Sequence, residues 1–326
     1  MTQIASFVAP SGRPGELGVH SLDHFGLTVP NLVEAEHFYK GFGLDVRTEG
    51  ESLALHTFGQ GHRWAALLEG EHKKLHYLSF GAFEEDFARF SERLEQMHIE
   101  RVSPPPSRLN SDGLWFCDPD GTLVEVQVCD KSSPNRKTAL ETVSSPANIR
   151  GAISRREVQL IRPRRLAHVL LFASDVERSV QFYSSVLGLR LSDRSKDDVA
   201  FMHGIHGSDH HMIAFAKSVA PGFHHCSWTV TSLDEIGIGA AQMAQRGFSH
   251  GWGLGRHVIG SNYFHYVRDP WNSYSEYSCD IDYIAPDQEW NSRDYQSEDR
   301  SYLWGAARPA DFGHNYEALV LRCKST

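Results

Sequence analysis

The chain has 326 residues, of which 40% are hydrophobic and 22% charged, and its formal net charge is −9. This length suits two domains of ordinary size, and the negative charge argues against nucleic acid as a partner, because phosphate binding needs a basic surface. No run approaches the roughly 18 apolar residues of a membrane span. The five cysteines are scattered and the start of the chain lacks a signal-peptide pattern, so we expect a cytoplasmic protein.

Two stretches of the sequence repeat one pattern of strand, helix and glycine stop. In the first stretch, His24 begins an apolar run and a Phe-Tyr pair follows at 38–39. In the second, His168 precedes the Phe-Tyr pair at 182–183 by the same spacing. An Asn or Asp before each helix and a Gly after it predict the helix caps.

The later parts of the two copies match as well. Glu125 follows an Asp-Pro pair, and Glu276 follows a second Asp-Pro pair by the same interval. His76 and His225 each open an apolar stretch that precedes an acidic helix start. The sequence therefore predicts helices at about 32–41, 83–97, 176–186 and 233–246.

The repeat predicts two tandem domains of an α+β fold, each made of two units with a strand, a helix and further strands. We expect the first domain at residues 1–130 and a linker rich in Ser, Pro and Arg at 131–159. The second domain is predicted at 160–285. A polar and aromatic extension at 286–326 is expected to lie over the second domain.

The stretch from Gly255 to Glu276 predicts a hairpin near the end of the second copy. Aromatic and β-branched residues favour a strand around Tyr266, a polar turn follows, and Glu276 lies on the returning strand. Because side chains on opposite arms of a hairpin can face one cavity, Tyr266 and Glu276 are candidates for one site. We interpret the glycines before His257 as a loop.

The second copy carries two histidines and a glutamate at positions related by the repeat: His168, His225 and Glu276. Two imidazoles and one carboxylate are the ligand set of non-haem Fe(II) oxygenases, and they leave coordination positions open for other molecules. Zn(II) and Mn(II) use the same set, so the residue types alone do not choose the metal.

These patterns resemble the vicinal oxygen chelate superfamily, which is built from βαβββ modules. The string from Gly255 to Tyr277, with Gly-Arg-His, a Tyr and a Glu in order, is similar to the last signature of its type I extradiol ring-cleaving dioxygenases. The resemblance covers nearly the whole chain. It implies two tandem domains, each with two βαβββ modules forming an open barrel around a site, and an active site in the C-terminal half.

The resemblance also implies an activity and a set of roles. The activity is extradiol (meta) cleavage of a catechol-type aromatic by Fe(II) and O2, giving a muconic-semialdehyde-type product in the degradation of aromatic compounds. The implied ligands of Fe(II), with Mn(II) as an alternative, are His168, His225 and Glu276. His211 matches the acid–base histidine, His257 the histidine that hydrogen-bonds the substrate hydroxyl, and Tyr266 the tyrosine that helps to bind the catecholate. The neighbouring His210 and His224 are interpreted as packing or supporting residues.

The first copy is expected to be a non-catalytic half. It keeps a set of His24, His76 and Glu125 that could hold a metal. Pro106 and Trp115, however, stand where the second copy has its two substrate-handling residues.

Two other functions stay open at this point. One is a glyoxalase-like metal-dependent lyase or isomerase of the same superfamily, in which two modules share the ligands of one metal. The other is a non-enzymatic module that binds aromatic molecules or drugs, for which metal ligands would be unnecessary. The expected partners are a catechol-type small molecule and O2, with no nucleic acid or membrane, and we expect a homo-oligomer.

Overall fold

The computed structural model describes residues 10–142 and 144–318. The first part of the chain forms a mixed sheet with the strand order β2-β3-β4-β1-β5-β7-β6. Its strands are β1 (Ser21–Val29), β2 (Asp45–Glu49), β3 (Ser52–His56), β4 (Arg63–Glu69), β5 (Lys74–Ala82), β6 (Leu114–Cys117) and β7 (Leu123–Val128). Its helices are α1 (Leu32–Phe42) and α2 (Glu84–Gln96).

The second part of the chain forms a larger mixed sheet with the order β18-β14-β15-β16-β13-β8-β12-β10-β9. Its first strands are β8 (Arg165–Ala173), β9 (Arg190–Ser195), β10 (Val199–His203), β12 (Ile213–Lys217) and β13 (Gly222–Thr229). The others are β14 (Gly251–Arg256), β15 (Tyr263–Arg268), β16 (Tyr274–Cys279) and β18 (Trp304–Gly305). A separate short ladder pairs β11 (Ser208–Asp209) with β17 (Tyr283–Ile284), and the helices are α3 (Val176–Leu187) and α4 (Leu233–Ala244).

The two sheets repeat one arrangement, which confirms the predicted α+β fold with two tandem domains of two modules each. In the second module of the first half, two strands, β6 and β7, follow helix α2 where the corresponding module of the second half has three. In both sheets, the first strand lies in the middle, parallel to the last strand of its own module and antiparallel to the first strand of the next module. Both sheets are open at their edges. The four helices lie within about two residues of the predicted bounds, a normal scatter for helix ends.

Local sequence explains where the helices begin and end. The side chains of Asn31 and Asp175 accept a hydrogen bond from the backbone of the first turn of α1 and α3. Each helix ends at a glycine in the left-handed region, Gly43 with φ 98° and Gly188 with φ 74°. A Cβ on Gly188 would also lie 2.4 Å from the carbonyl oxygen of Leu17, so this stop is also a close backbone contact.

One continuous apolar core joins the two sheets. Phe42 of α1 stacks on Tyr277 of β16 with ring centroids 3.9 Å apart, and the Tyr277 hydroxyl donates to the Phe42 carbonyl at 2.8 Å. The Gln242 side chain of α4 donates to the Gly41 carbonyl at 2.7 Å. The first half of the chain therefore packs directly behind the strands that carry the site.

The sequence predicts a loop for the glycines before His257, and this prediction is wrong, because Gly251–Arg256 forms strand β14. Every second residue of the strand is a glycine for a steric reason. A Cβ on Gly251 would lie 1.9 Å from the Tyr266 carbonyl oxygen, and one on Gly255 would lie 2.6 Å from the Phe264 ring. The glycines thus let β14 approach β15 closely.

The chain after residue 286 crosses the second sheet from one edge to the other. Near its start, Arg194 of edge strand β9 forms a bridge with Asp294. Further on, β18 pairs with β14 at the opposite edge. We call residues 286–318 the C-terminal strap. None of the described helices has the length and apolar character needed to cross a membrane.

Candidate active site

Three neighbouring strands bring the predicted metal ligands together. His168 lies on β8, His225 on β13 and Glu276 on β16, and these strands are adjacent in the sheet. His168 Nε2 lies 3.3 Å from His225 Nε2 and 3.3 Å from Glu276 Oε2. The third side of this triangle, from His225 Nε2 to Glu276 Oε2, is 3.8 Å. In the described residues this is the one group of three such side chains with ligand atoms within 4.8 Å of one another.

The chemistry of this triangle fits a divalent cation. Two donor atoms that each lie ~2.1 Å from one ion, at right angles, are ~3 Å apart, close to the distances here. Glu276 is fully buried, and its Oε2 has no hydrogen-bond partner among the described residues. Its Oε1 is held by the Asn262 side chain at 3.2 Å. A buried carboxylate oxygen without a donor needs a cation, because burying an uncompensated charge is costly.

A chain of hydrogen bonds fixes the ring of His225. His224 Nε2 donates to the Phe312 carbonyl of the C-terminal strap at 2.8 Å, and burial lowers the pKa of His224 to about 4. The neutral ring then has a lone pair on Nδ1, which lies 2.7 Å from Nδ1 of His225. His225 therefore donates through Nδ1 and keeps the Nε2 lone pair free for a metal.

His257 and Tyr266 form a second pair beside the ligands. Tyr266 is directly opposite Glu276 across the ladder of β15 and β16, as the hairpin predicted. His257 Nδ1 donates to the Ser301 carbonyl of the strap, and its Nε2 lies 3.0 Å from the Tyr266 hydroxyl. Burial and the Glu276 carboxylate raise the pKa of Tyr266 well above its usual value, so the phenol stays protonated and can donate a hydrogen bond.

His211 lies against the first ligand. Its ring centroid is 4.1 Å from that of His168, and it lines the same cavity as His257 and Tyr266. Burial and the neighbouring histidines lower the pKa of His211 well below its usual value, so the free ring is neutral and one nitrogen can accept a proton. The neighbouring His210 points away from this cavity and contacts Asp193.

The cavity around these residues has a volume of about 660 Å³. Side chains of β8, β10 and β12 give it an apolar wall made of Leu170, Phe172, Val199, Phe201 and Ala216. Charged residues at its rim pair with one another, as Arg300 does with Asp198. The site is thus an apolar cleft with a small polar centre, the usual form of a small-molecule site.

The same position in the first sheet does not hold a metal-ligand set. His24 pairs with Ser79 as His168 pairs with Ser227, so the register matches Tyr77 with His225. The internal repeat in the sequence had instead matched His76 with His225. The β-ladder shows that this match was wrong by one residue, and such a slip moves a side chain to the other face of a strand.

The glutamate of the first half that corresponds to Glu276 is neutralised by an arginine. The buried carboxylate of Glu125 accepts hydrogen bonds from Arg108 at 3.0 Å and 3.1 Å and from the Ser111 hydroxyl. A guanidinium thus neutralises the carboxylate that would otherwise need a metal. Trp115 lies opposite Glu125, as Tyr266 lies opposite Glu276. The internal repeat in the sequence also matches Trp115 with Tyr266.

Sequence reasoning identified His210 and His224 as packing or supporting residues but missed the other supporting groups of the site. The carbonyls of Ser301 and Phe312 belong to the strap, for which only a polar and aromatic composition was evident. Asp193 and Asn262 carried no motif of their own. The doubled histidines at 210–211 and 224–225 were a signal, since both pairs are joined through their Nδ1 atoms.

Comparisons with known proteins show which family the chain resembles. The chain matches the Glyoxalase/Bleomycin resistance protein/Dioxygenase superfamily over residues 21–126 and 165–277. It is 48% identical to Metapyrocatechase 2 of Cupriavidus necator, over 95% of this chain and 96% of that protein. It is 28% identical to an iron-dependent extradiol dioxygenase of Rhodococcus jostii, over 43% and 50% of the two chains. Among solved structures, a Mn(II)-bound glyoxalase from Novosphingobium aromaticivorans shares the fold, with a TM-score of 0.72 at 22% identity over 90% and 94% of the two chains.

Proposed function

Because the chain belongs to the Glyoxalase/Bleomycin resistance protein/Dioxygenase superfamily, we propose that it is an extradiol dioxygenase that cleaves a catechol-type ring beside its two hydroxyl groups. The product is of the muconic-semialdehyde type and contains both atoms of O2, and the reaction serves the degradation of aromatic compounds. The observation that carries the proposal is the triangle of ligand atoms in a cavity that also holds His211, His257 and Tyr266. Similarity to a metapyrocatechase along almost the whole chain supports it.

The residues that would hold Fe(II) are His168, His225 and Glu276. The same donor set accepts Mn(II), so Mn(II) is the alternative cofactor. A bound Fe(II) would supply the electron-transfer chemistry that lets O2 react with a closed-shell aromatic substrate. Only three protein ligands are present, which would leave positions for small molecules.

His257 and Tyr266 are proposed to bind and orient the catechol. The Nδ1–H of His257 is engaged by the Ser301 carbonyl, so its Nε2 is an acceptor for a substrate hydroxyl. Tyr266 remains a phenol and donates a hydrogen bond to a substrate oxygen. One acceptor and one donor, 3.0 Å apart, thus recognise a hydroxyl group and hold its oxygen as the proton leaves.

His211 is proposed to be the acid–base residue. Its ring is neutral in the free protein and can accept a proton when the substrate binds. The same nitrogen can return that proton to an oxygen atom when the O–O bond breaks. Proton transfer by a positioned group typically accelerates a reaction by about 10²–10⁴-fold.

We propose that residues 1–130 form a non-catalytic domain, joined by a linker at 131–159 to the catalytic domain at 160–285. The Arg108–Glu125 ion pair supports this role for the first half, because the guanidinium supplies the positive charge that a metal ion would otherwise supply to the carboxylate. His168 belongs to the first module of the second half, and His225 and Glu276 belong to its second module, so the origin of the ligands does not separate a dioxygenase from a glyoxalase-like enzyme. The presence of His211, His257 and Tyr266 in the same cavity favours the dioxygenase. A ligand set this buried also has no use in a pure binding module.

We also propose that the enzyme is a homo-oligomer and works in the cytoplasm. Leu303 and Trp304 are exposed at strand β18, an edge of the second sheet, where apolar residues favour self-association. The cysteines of the described residues are all unpaired, which agrees with a reducing compartment. Light scattering coupled to gel filtration measures the assembly directly.

The proposed activity is tested with protein reconstituted with Fe(II) under argon and then mixed with air-saturated catechols. The apolar wall leaves room for ring substituents, since cavities of ~300–1,000 Å³ hold drug-sized ligands. We therefore expect turnover of substituted as well as simple catechols, with a yellow ring-fission product. Stable catechol in the presence of one bound iron per chain would refute the proposal.

A further inference from the structure

A buried hydrogen-bonded chain leads away from His211 on the side opposite the cavity. His211 Nδ1 lies 3.0 Å from His210 Nδ1, and His210 Nε2 lies 2.8 Å from Asp193 Oδ2. His210 is fully buried and Asp193 is 2% exposed. Neither residue lines the cavity of the candidate active site.

The C-terminal strap fixes the far end of this chain. The backbone N–H of Arg293 donates to the other carboxylate oxygen, Asp193 Oδ1, at 2.7 Å. Asp193 therefore presents one oxygen to the strap and one to His210. The strap also contacts His210 directly, since the Trp290 ring lies 5.4 Å from its ring.

With His210 as a neutral ring, the chemistry of each group sets the direction of every hydrogen bond. A carboxylate only accepts, so the nitrogen of His210 that faces Asp193 carries the proton. In a neutral imidazole the other nitrogen is then an acceptor. It faces His211 Nδ1, which must be the donor, and the Nε2 of His211 is left with its lone pair toward the cavity.

We propose that Asp193 and His210 are positioning residues that fix the tautomer of His211, so that its unprotonated Nε2 faces the substrate. The inference rests on the proposed function, in which His211 is the acid–base residue. Neither residue touches the reacting atoms, and both act through the ring of His211.

The second pair of histidines has the same construction. His224 and His225 are joined by an Nδ1–Nδ1 hydrogen bond, as His210 and His211 are. In both pairs the first histidine also donates to an acceptor through its Nε2. For His224 the acceptor is the Phe312 carbonyl, from the strap. Two independent His-His pairs thus end on acceptors that belong to the strap or are held by it, and each leaves one Nε2 lone pair in the cavity.

The test uses the isosteric variant Asp193→Asn. Because the Arg293 N–H needs an acceptor, the amide oxygen of the asparagine takes the Oδ1 position and its NH2 group faces His210. His210 must then accept at Nε2 and donate through Nδ1, which moves the proton of His211 to Nε2. Asp193→Ala removes the acceptor without imposing the wrong tautomer. Asp118→Asn is the control, because Asp118 is a buried aspartate outside the site that accepts a hydrogen bond from the Tyr183 hydroxyl.

Two readouts decide the question. The first is the ¹⁵N spectrum of the full-length chain labelled in histidine and loaded with diamagnetic Zn(II), with the His211 signals assigned through His211→Gln. We expect a proton on Nδ1 of His211 in the wild type and in Asp118→Asn, and on Nε2 in Asp193→Asn. The second is turnover with Fe(II), where we expect kcat of Asp193→Asn to fall about 10²-fold, as for loss of an acid–base group, with KM near the wild-type value.

The relative turnover of the two Asp193 variants distinguishes a positioning role from a packing role. If Asp193 sets the tautomer, the isosteric Asn variant turns over more slowly than the Ala variant, although Ala creates the larger cavity. The reverse order would overturn the inference. So would a wild-type spectrum with the proton on Nε2 of His211, or with both nitrogens of His210 protonated. The spectrum does not require catalysis, so a wild-type protein inactive toward catechols would refute the proposed function and leave this test intact.

Discussion

Tyr77 in the first sheet occupies the register position that His225 occupies in the second. The two strands are otherwise equivalent, and both lie beside the first strand of their sheet. The first sheet therefore lacks one of the three metal ligands at this position. The Arg108–Glu125 ion pair completes the difference, since it supplies a fixed positive charge in the first sheet.

His225→Ala should abolish both metal binding and turnover, because two of the three donors cannot hold the ion in the cavity. The matched control is His76→Ala, which removes the histidine that the sequence had placed at the equivalent position. Metal content measured by mass spectrometry should drop from one per chain to none in the first variant and stay at one in the second. Full metal content in His225→Ala would show that the ligand assignment is wrong.

Glu125→Ala and Arg108→Ala should both leave metal content and turnover unchanged, because the first half contributes no ligand. Their stabilities should differ from the wild type. Arg108→Ala leaves a fully buried carboxylate unpaired, and breaking such a pair costs about 3–5 kcal/mol. Urea denaturation measures this loss, with Arg47→Ala as the control, since its surface pair with Asp45 contributes about 0–1 kcal/mol. A folded Glu125→Ala protein without turnover would instead assign the first half a part in the reaction.

His211→Phe should keep the iron and still bind catechol, yet turn over about 10²–10⁴-fold more slowly. The phenyl ring retains the packing against His168 but can neither accept nor donate a proton. Anaerobic titration with catechol measures binding, and stopped-flow mixing with O2 measures turnover. Near wild-type turnover would mean that this ring only packs, and loss of iron would mean that it supports the metal.

Stability should fall in mild acid because buried histidines resist protonation. Burial lowers the pKa of His20 to about 4, so between pH 6.5 and 4 the unfolded chain binds a proton that the folded chain does not. The free energy of unfolding therefore rises with pH in this window, and His20 alone should remove about 2 kcal/mol between pH 7 and pH 5.

The variant His20→Asn isolates this contribution. Its unfolding free energy should fall less between pH 7 and pH 5 than that of the wild type, by about the same 2 kcal/mol. The control is His98→Asn on the exposed surface, at a position with φ 55° that asparagine adopts readily. If the free energy of unfolding changes equally with pH in His20→Asn and in the wild type, the attribution of this pH dependence to His20 is wrong.

Sequence patterns predicted the helices and the central hairpin because local signals were strong there. Capping residues and glycine stops mark both ends of α1 and α3. The hairpin places Tyr266 opposite Glu276 through strand periodicity alone. These features depend on neighbours in sequence, which a single chain displays directly.

Features that depend on distant partners were not predictable. A one-residue difference in register decided between His76 and Tyr77, and only the pairing of whole strands determines it. The glycines of β14 looked like a loop, since the close approach of β15 that demands them is a tertiary contact. The backbone carbonyls of Ser301 and Phe312 carry no residue-type signal, because every residue has a carbonyl.

The most direct test of the proposed function is the proton NMR spectrum of the product formed from catechol by the Fe(II)-loaded chain under O2. Cleavage beside the two hydroxyl groups gives a semialdehyde, so we predict an aldehyde proton signal whose intensity grows as catechol disappears, with none in the His225→Ala variant. A symmetrical dicarboxylate without an aldehyde signal would mean cleavage between the hydroxyl groups. That product, or unreacted catechol with iron fully bound, would contradict the account.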